Sequence, residues 1–186
     1  INPNAFYNFK NLEEITIGSH VIQLGNYAFK NCSNLKEVHI ASNGVNSVGL
    51  NVFENCESLT SFVMPSTLKT IGTKMFVGCS NLTSITFNNV LETIETGAFE
   101  NCSKLVSVIL PASVKEIGSG VFAGCASLES LTVSSLADSS ETTNRTLGYL
   151  FGTYYAGENF HAVVQTTAES TSETYYIPKK MKNVHV

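Results

Sequence analysis

The segment "IGTKMFVGCSNLTSITF" (71–87) returns as "IETGAFENCSKLVSVIL" (94–110) and again as "IGSGVFAGCASLESLTV" (117–133). Read backwards, it recurs as "VGLNVFENCESLTSFVM" (48–64), "LGNYAFKNCSNLKEVHI" (24–40) and "INPNAFYNFKNLEEITI" (1–17). Six copies therefore begin at residues 1, 24, 48, 71, 94 and 117. Phe6, Phe29, Phe53, Phe76, Phe99 and Phe122 fall in one column, and Leu12, Leu35, Leu59, Leu82, Leu105 and Leu128 in another. A unit this short cannot bury its own apolar side, so each coil has to close its core against its neighbours. The expected architecture is a solenoid.

Each copy contains three readable parts. Its end, as in Leu82–Phe87, places Ile85 and Phe87 two apart, so both point to one side of a strand while Ser84 and Thr86 point to the other. Copies in parallel register stack at roughly 4.8 Å per strand. The middle carries Phe, Cys and Leu at intervals of three, which suits a short helical or 3₁₀ turn facing inward. An apolar pair precedes each Phe turn (Val21/Leu24, Val45/Val48, Leu68/Ile71, Leu91/Ile94, Val114/Ile117) and reads as the opposite wall. A glycine follows it at 25, 49, 72 and 118, where the coil is expected to turn, with Glu95 as the exception.

Hydrophobic residues make up 43% of the 186 residues, ample for a core, whereas charged residues reach only 14% with a net charge of −4. The 11 Lys and Arg are scattered singly and build no basic face, which argues against nucleic acid as a partner. No apolar run approaches the eighteen or so residues of a membrane span, so no membrane insertion is expected of this segment.

Cys32, Cys56, Cys79, Cys102 and Cys125 share a column that Phe9 fills in the first copy, which suits a buried apolar slot. Neighbouring rungs bring their Cα atoms within disulfide range, but parallel Cβ vectors suit bridging poorly and five members cannot all pair. Neither C-x-x-C nor H-x-x-x-H spacing occurs, so no metal is expected. No cofactor is expected either, the phenylalanine column being read as core. His20, His39, His161 and His185 share no catalytic spacing, and no nucleophile motif is present. The chain is not expected to be an enzyme. Sequons at Asn31, Asn81, Asn101 and Asn144 fall mostly in wording that the repeat dictates.

The pattern I-G-x-x-A-F-x-x-C-x-x-L-x-x-I-x-I over residues 1–133 resembles the BspA-like leucine-rich repeat of bacterial surface proteins. The resemblance implies a right-handed leucine-rich-repeat coil with a parallel β-sheet on one face, short helical or 3₁₀ turns and short second strands. It also implies an extracellular or cell-surface location and a role in adhesion or partner binding, without fixing the ligand. Residues 134–186 are read as a seventh, irregular repeat, with "LGYLFG" (147–152) as its Phe turn after extra residues at Asp138–Arg145. A long insertion (153–178) precedes a final strand in "MKNVHV" (181–186), with Met181, Val184 and Val186 in the Leu, Ile and Phe places.

Two surfaces are candidates for binding. The outward strand positions form one column of Glu14, Glu37, Ser61, Ser84, Ser107, Ser130 and Asn183 and another of Thr16, His39, Val63, Thr86, Ile109, Thr132 and His185. Val63, Ser84, Thr86, Ser107, Ile109 and Thr132 make its small, uncharged, partly apolar middle, a composition suited to a protein partner; strand propensity alone also accounts for Val and Ile there. The insertion is the second candidate. It is expected to form a hairpin with the polar "TTAESTSE" at its tip, and Tyr154, Tyr155, Tyr175 and Tyr176 either present an aromatic contact surface or cover the core. The leading expectation is non-catalytic recognition of a protein or host-surface ligand. A structural spacer and a carbohydrate-binding accessory segment are the alternatives.

Overall fold

The structure, a computed structural model, describes residues 1–133, 147–153, 157–166 and 172–185. In chain order its strands are β1 (Glu14–Ile17), β2 (Gln23–Leu24), β3 (Glu37–Ile40), β4 (Ser47–Val48), β5 (Ser61–Val63), β6 (Thr70–Ile71), β7 (Ser84–Thr86), β8 (Thr93–Ile94), β9 (Ser107–Ile109), β10 (Glu116–Ile117) and β11 (Ser130–Thr132). Then come a 3₁₀ turn, η1 (Leu147–Leu150), and strands β12 (Phe160–Thr166), β13 (Ser172–Pro178) and β14 (Asn183–His185).

Odd- and even-numbered strands through β11 form two walls of a parallel solenoid. The broad wall consists of the ladders β1–β3, β5–β7 and β9–β11–β14; the narrow wall consists of β2–β4 and β6–β8–β10. Register holds each residue against its repeat equivalent, as in Ser61↔Ser84, Phe62↔Ile85 and Val63↔Thr86. The alternation expected from the sequence is realised on β5, β9 and β11, where Phe62, Val108 and Leu131 point into the core while Ser61, Val63, Ser107 and Ile109 point outward. Strand β14 departs from it, because Val184, expected in the inward Ile place, is exposed at the end of the ladder.

The core is a column of rings. Phe6, Phe29, Phe53, Phe76, Phe99 and Phe122 stack in sequence with centroids 5.0–5.8 Å apart and planes within 12° of parallel. Phe151 extends the column at 6.4 Å with a 46° tilt, which places "LGYLFG" as a further Phe turn. Phe62 meets Phe76 edge-on at 4.9 Å, and Phe87 meets Phe99 edge-on at 6.1 Å, the arrangement that ring quadrupoles favour.

The turns carrying these rings are bonded from residue i+3 back to residue i, as in Cys32 N–H to Phe29 C=O and Leu35 N–H to Cys32 C=O. They do not run on into a helix, because each coil has left-handed residues two before and two after its Phe. The second position after Phe is Asn8, Asn31, Asn55, Gly78, Asn101 and Gly124, the residue types that tolerate this conformation at least cost. The column is visible in the sequence as a position restricted to Asn and Gly. It also explains why Asn31 and Asn101 head sequons.

The glycines at 25, 49, 72 and 118 have a different role from the turn expected of them. None has a positive φ; instead, a Cβ on Gly72 would lie 2.6 Å from the carbonyl oxygen of Gly49, and one on Gly118 would overlap the backbone of Glu95 and Thr96. They are small because the previous coil's backbone passes against them. Glu95 breaks the column by reaching back: its carboxylate accepts hydrogen bonds from the N–H (2.7 Å) and hydroxyl (2.6 Å) of Thr73.

Candidate binding surface

The outward residues of the broad wall are positioned by register. Glu14 lies against Glu37 and Thr16 against His39 in one ladder; Ser107, Ser130 and Asn183 align in another, as do Ile109, Thr132 and His185. Val63 is 64% exposed and Ile109 68%. Ser84, Thr86 and Ser107 are also exposed, whereas Thr132 is half-buried. The structure thus brings Val63, Thr86 and Ile109 onto consecutive rungs as one strip with hydroxyl-bearing neighbours.

The amino end of this face is acidic, and a histidine sits within it. His39 Nε2 lies 3.1 Å from a Glu37 oxygen and 3.5 Å from a Glu14 oxygen. These three exposed side chains are the only group of this kind among the described residues with donor atoms close enough for one metal ion. Ion pairs join neighbouring coils at the strand entries of both walls: Lys36 to Glu13 at 2.7 Å and Lys182 to Glu129 at 2.7 Å on the broad wall, and Lys115 and Lys69 to Glu92 at 3.2 and 2.9 Å on the narrow wall. Bonding to these lysines holds the Glu13, Glu92 and Glu129 carboxyls below the usual range. Such exposed pairs contribute little to stability.

The cysteines take no part in any surface. All five are free and buried, and each Sγ–H donates to the carbonyl of the Phe one coil earlier, from Cys32 to Phe6 (3.1 Å) through Cys125 to Phe99 (3.2 Å). Burial pushes the thiols of Cys79 and Cys125 up to about 12. Phe9, which shares their column, is 49% exposed, so its presence there says nothing about burial; the five enclosed thiols carry that conclusion themselves.

The insertion forms an antiparallel hairpin, with Phe160 opposite Pro178 and Thr166 opposite Ser172. Its strands reach further than expected into the polar stretch read as the tip. Of the four tyrosines proposed as contacts, Tyr154 and Tyr155 lie outside the described residues. Tyr175 is only 4% exposed, with its hydroxyl donating to Glu173 at 3.1 Å, and Tyr176 is half-buried. Ile177 packs against the solenoid core, and Tyr175, two residues before it on the same strand face, is buried instead of offering a free contact surface. Between hairpin and solenoid runs a groove of about 390 Å³, lined by Lys74, Glu100, Tyr149, Thr153, Glu173 and Tyr175 among others.

Parallel rungs, an aromatic core column and a leucine at each strand entry define a leucine-rich-repeat solenoid. The sequence profile of the BspA type leucine rich repeat region matches six copies over residues 1–141, and the chain belongs to that family. It is 32% identical to the T. pallidum leucine-rich repeat protein, with a TM-score of 0.68 over 70% of this chain and 61% of that one. A leucine-rich repeat protein from Bacteroides ovatus is also 32% identical, with a TM-score of 0.61 over 66% of this chain and 31% of that one. A leucine rich cell surface protein from Faecalibacterium prausnitzii shares the fold at 24% identity, with a TM-score of 0.58 over 96% of this chain and 49% of that one. This chain thus spans less than two thirds of each of these proteins. No curated protein matches it. Among the described residues, no helix is long and apolar enough to cross a membrane.

Proposed function

We propose that the chain is a non-catalytic recognition segment of a secreted or surface-attached bacterial protein, and that it binds a protein partner through the middle of its broad sheet wall. The observation that carries this reading is the strip Val63–Thr86–Ile109, two strongly exposed aliphatic side chains on a stiff, regularly spaced surface flanked by Ser84 and Ser107. Apolar surface bordered by small polar groups suits a protein partner, and a scaffold that is already ordered lowers the backbone ordering cost of binding. Surface location is supported by the family and by the description of the F. prausnitzii relative as a cell surface protein. In this reading residues 1–133 are the regular repeats, and residues 134–186 are an irregular seventh with the hairpin inserted.

The test is a pull-down from host extracellular proteins, run beside a glycan array, with the wild-type chain and a variant carrying Val63→Lys, Thr86→Glu and Ile109→Lys. The proposal expects a protein partner that the variant loses while still unfolding cooperatively. A partner indifferent to the three substitutions, or none at all, overturns the sheet-face assignment and favours a spacer role, for which the unbroken ring column is suited. Binding confined to glycans would favour the accessory carbohydrate reading.

A further inference from the structure

Strand β12, Phe-His-Ala-Val-Val-Gln-Thr, is seven residues long and carries no Lys, Arg, Asp or Glu, whereas the solenoid strands run to four residues at most. Lys179 N–H donates to the Asn159 carbonyl at 2.9 Å, one pair beyond Phe160↔Pro178. Bonded and non-bonded pairs alternate in an antiparallel ladder, so His161↔Ile177 and Val163↔Tyr175 exchange the hairpin's bonds. The backbone groups of Ala162 and Val164 on one side, and of Thr174 and Tyr176 on the other, must then point away from the hairpin. On the β13 side the solenoid receives this edge, with Tyr176 N–H donating to the Gly152 carbonyl at 3.3 Å. On the β12 side Ala162 and Val164 have no partner among the described residues.

Exposed sheet edges are normally blunted by lysine, proline, a bulge or a cover. Across Phe160–Thr166, β12 has no lysine or proline, its register with β13 is free of bulges, and its Val164 side chain is 65% exposed. We propose that this edge pairs antiparallel with the same edge of a second copy of the chain, about a twofold axis at Val163. That register sets Ala162 against Val164 of the second copy, and Val164 against its Ala162, so outward amides and carbonyls meet each other. It also juxtaposes only uncharged or apolar side chains and no pair of like charges, and the outcome is a closed four-stranded sheet. The strand is thus complementary to itself in hydrogen bonding and carries no acidic or basic pair that would oppose the pairing. This inference is independent of the sheet-face reading.

Sedimentation of the whole chain over a range of concentrations, with hydrogen exchange at the dimeric end, tests it. The expected result is a reversible monomer–dimer equilibrium with slow exchange at Ala162 and Val164. Ala162→Pro removes an outward N–H while sparing the bonds to β13, and Val164→Lys puts a charge on the edge. Each should weaken dimerisation on the order of tenfold or more without altering thermal unfolding, and the triple sheet-wall variant should still dimerise. A chain monomeric at every concentration, or a dimer indifferent to both edge substitutions, overturns the proposal. So does a monomer whose β12 amides become protected only on adding an extended peptide from another protein, which would make this a docking edge for a foreign strand.

Discussion

Asn101 Oδ1 occupies the space in which a Cβ on Gly124 would stand, one coil further along. The same relation holds between Asn55 and Gly78, whereas Asn55 and Asn31, where both coils carry Asn, meet by a side-chain hydrogen bond of 3.0 Å. Gly124→Ala should therefore destabilise on the order of 2–3 kcal/mol, combining left-handed backbone strain with overlap. Adding Asn101→Gly removes the obstructing oxygen, so the pair should show about 1 kcal/mol of favourable coupling in a urea double-mutant cycle. Strict additivity would refute the steric link.

Cys79 Sγ donates to the Phe53 carbonyl at 3.1 Å, inside a fully buried slot. Native thiols should resist alkylation and react only as the chain unfolds globally. Burial raises the thiols of Cys79 and Cys125 to about 12 in the folded chain, above their ordinary value near 8.5. The folded state then holds protons that the unfolded state releases, so the stability these thiols contribute is intact below about pH 8.5 and falls as pH rises towards 12. Melting temperature should decline across that window, and replacing both cysteines by Ala should flatten part of the decline.

Phe76 is stacked between Phe53 and Phe99 and met edge-on by Phe62. Phe76→Ala should cost about 3–5 kcal/mol through lost burial and the cavity left behind. Phe9→Ala, at a half-exposed ring, should stay within about 1 kcal/mol. Comparable costs in denaturant unfolding would contradict the ring column as the main source of cohesion.

Glu95 substitutes for a column glycine by hydrogen bonding Thr73 twice. Glu95→Ala leaves both donors without their acceptor and should destabilise by roughly 1–3 kcal/mol, whereas Glu95→Gln retains an acceptor and should cost less. Glu95→Gly restores the column residue but not the acceptor, and calorimetry should place it with the alanine variant.

The period alone determined a great deal. Phe, Leu and Cys columns identify the core, and an alternation of two assigns Ser84 and Thr86 to the outside, because these are properties of local geometry repeated at a fixed spacing. The open face of the broad wall, with Val63, Thr86 and Ile109 on consecutive rungs, was legible for the same reason. The purpose of Gly72 and Gly118 was not legible: their small size answers to the backbone of another coil, which no single copy contains. Nor was the buried position of Tyr175, since which side of the hairpin meets the solenoid depends on how two separately folded elements dock. The open edge of β12 likewise follows from pairing parity and from β13 having turned its own outer edge to Gly152. Sequence periodicity specifies what each coil does within itself. Close approach between coils, and the side that an inserted hairpin leaves free, are decided only when the elements pack.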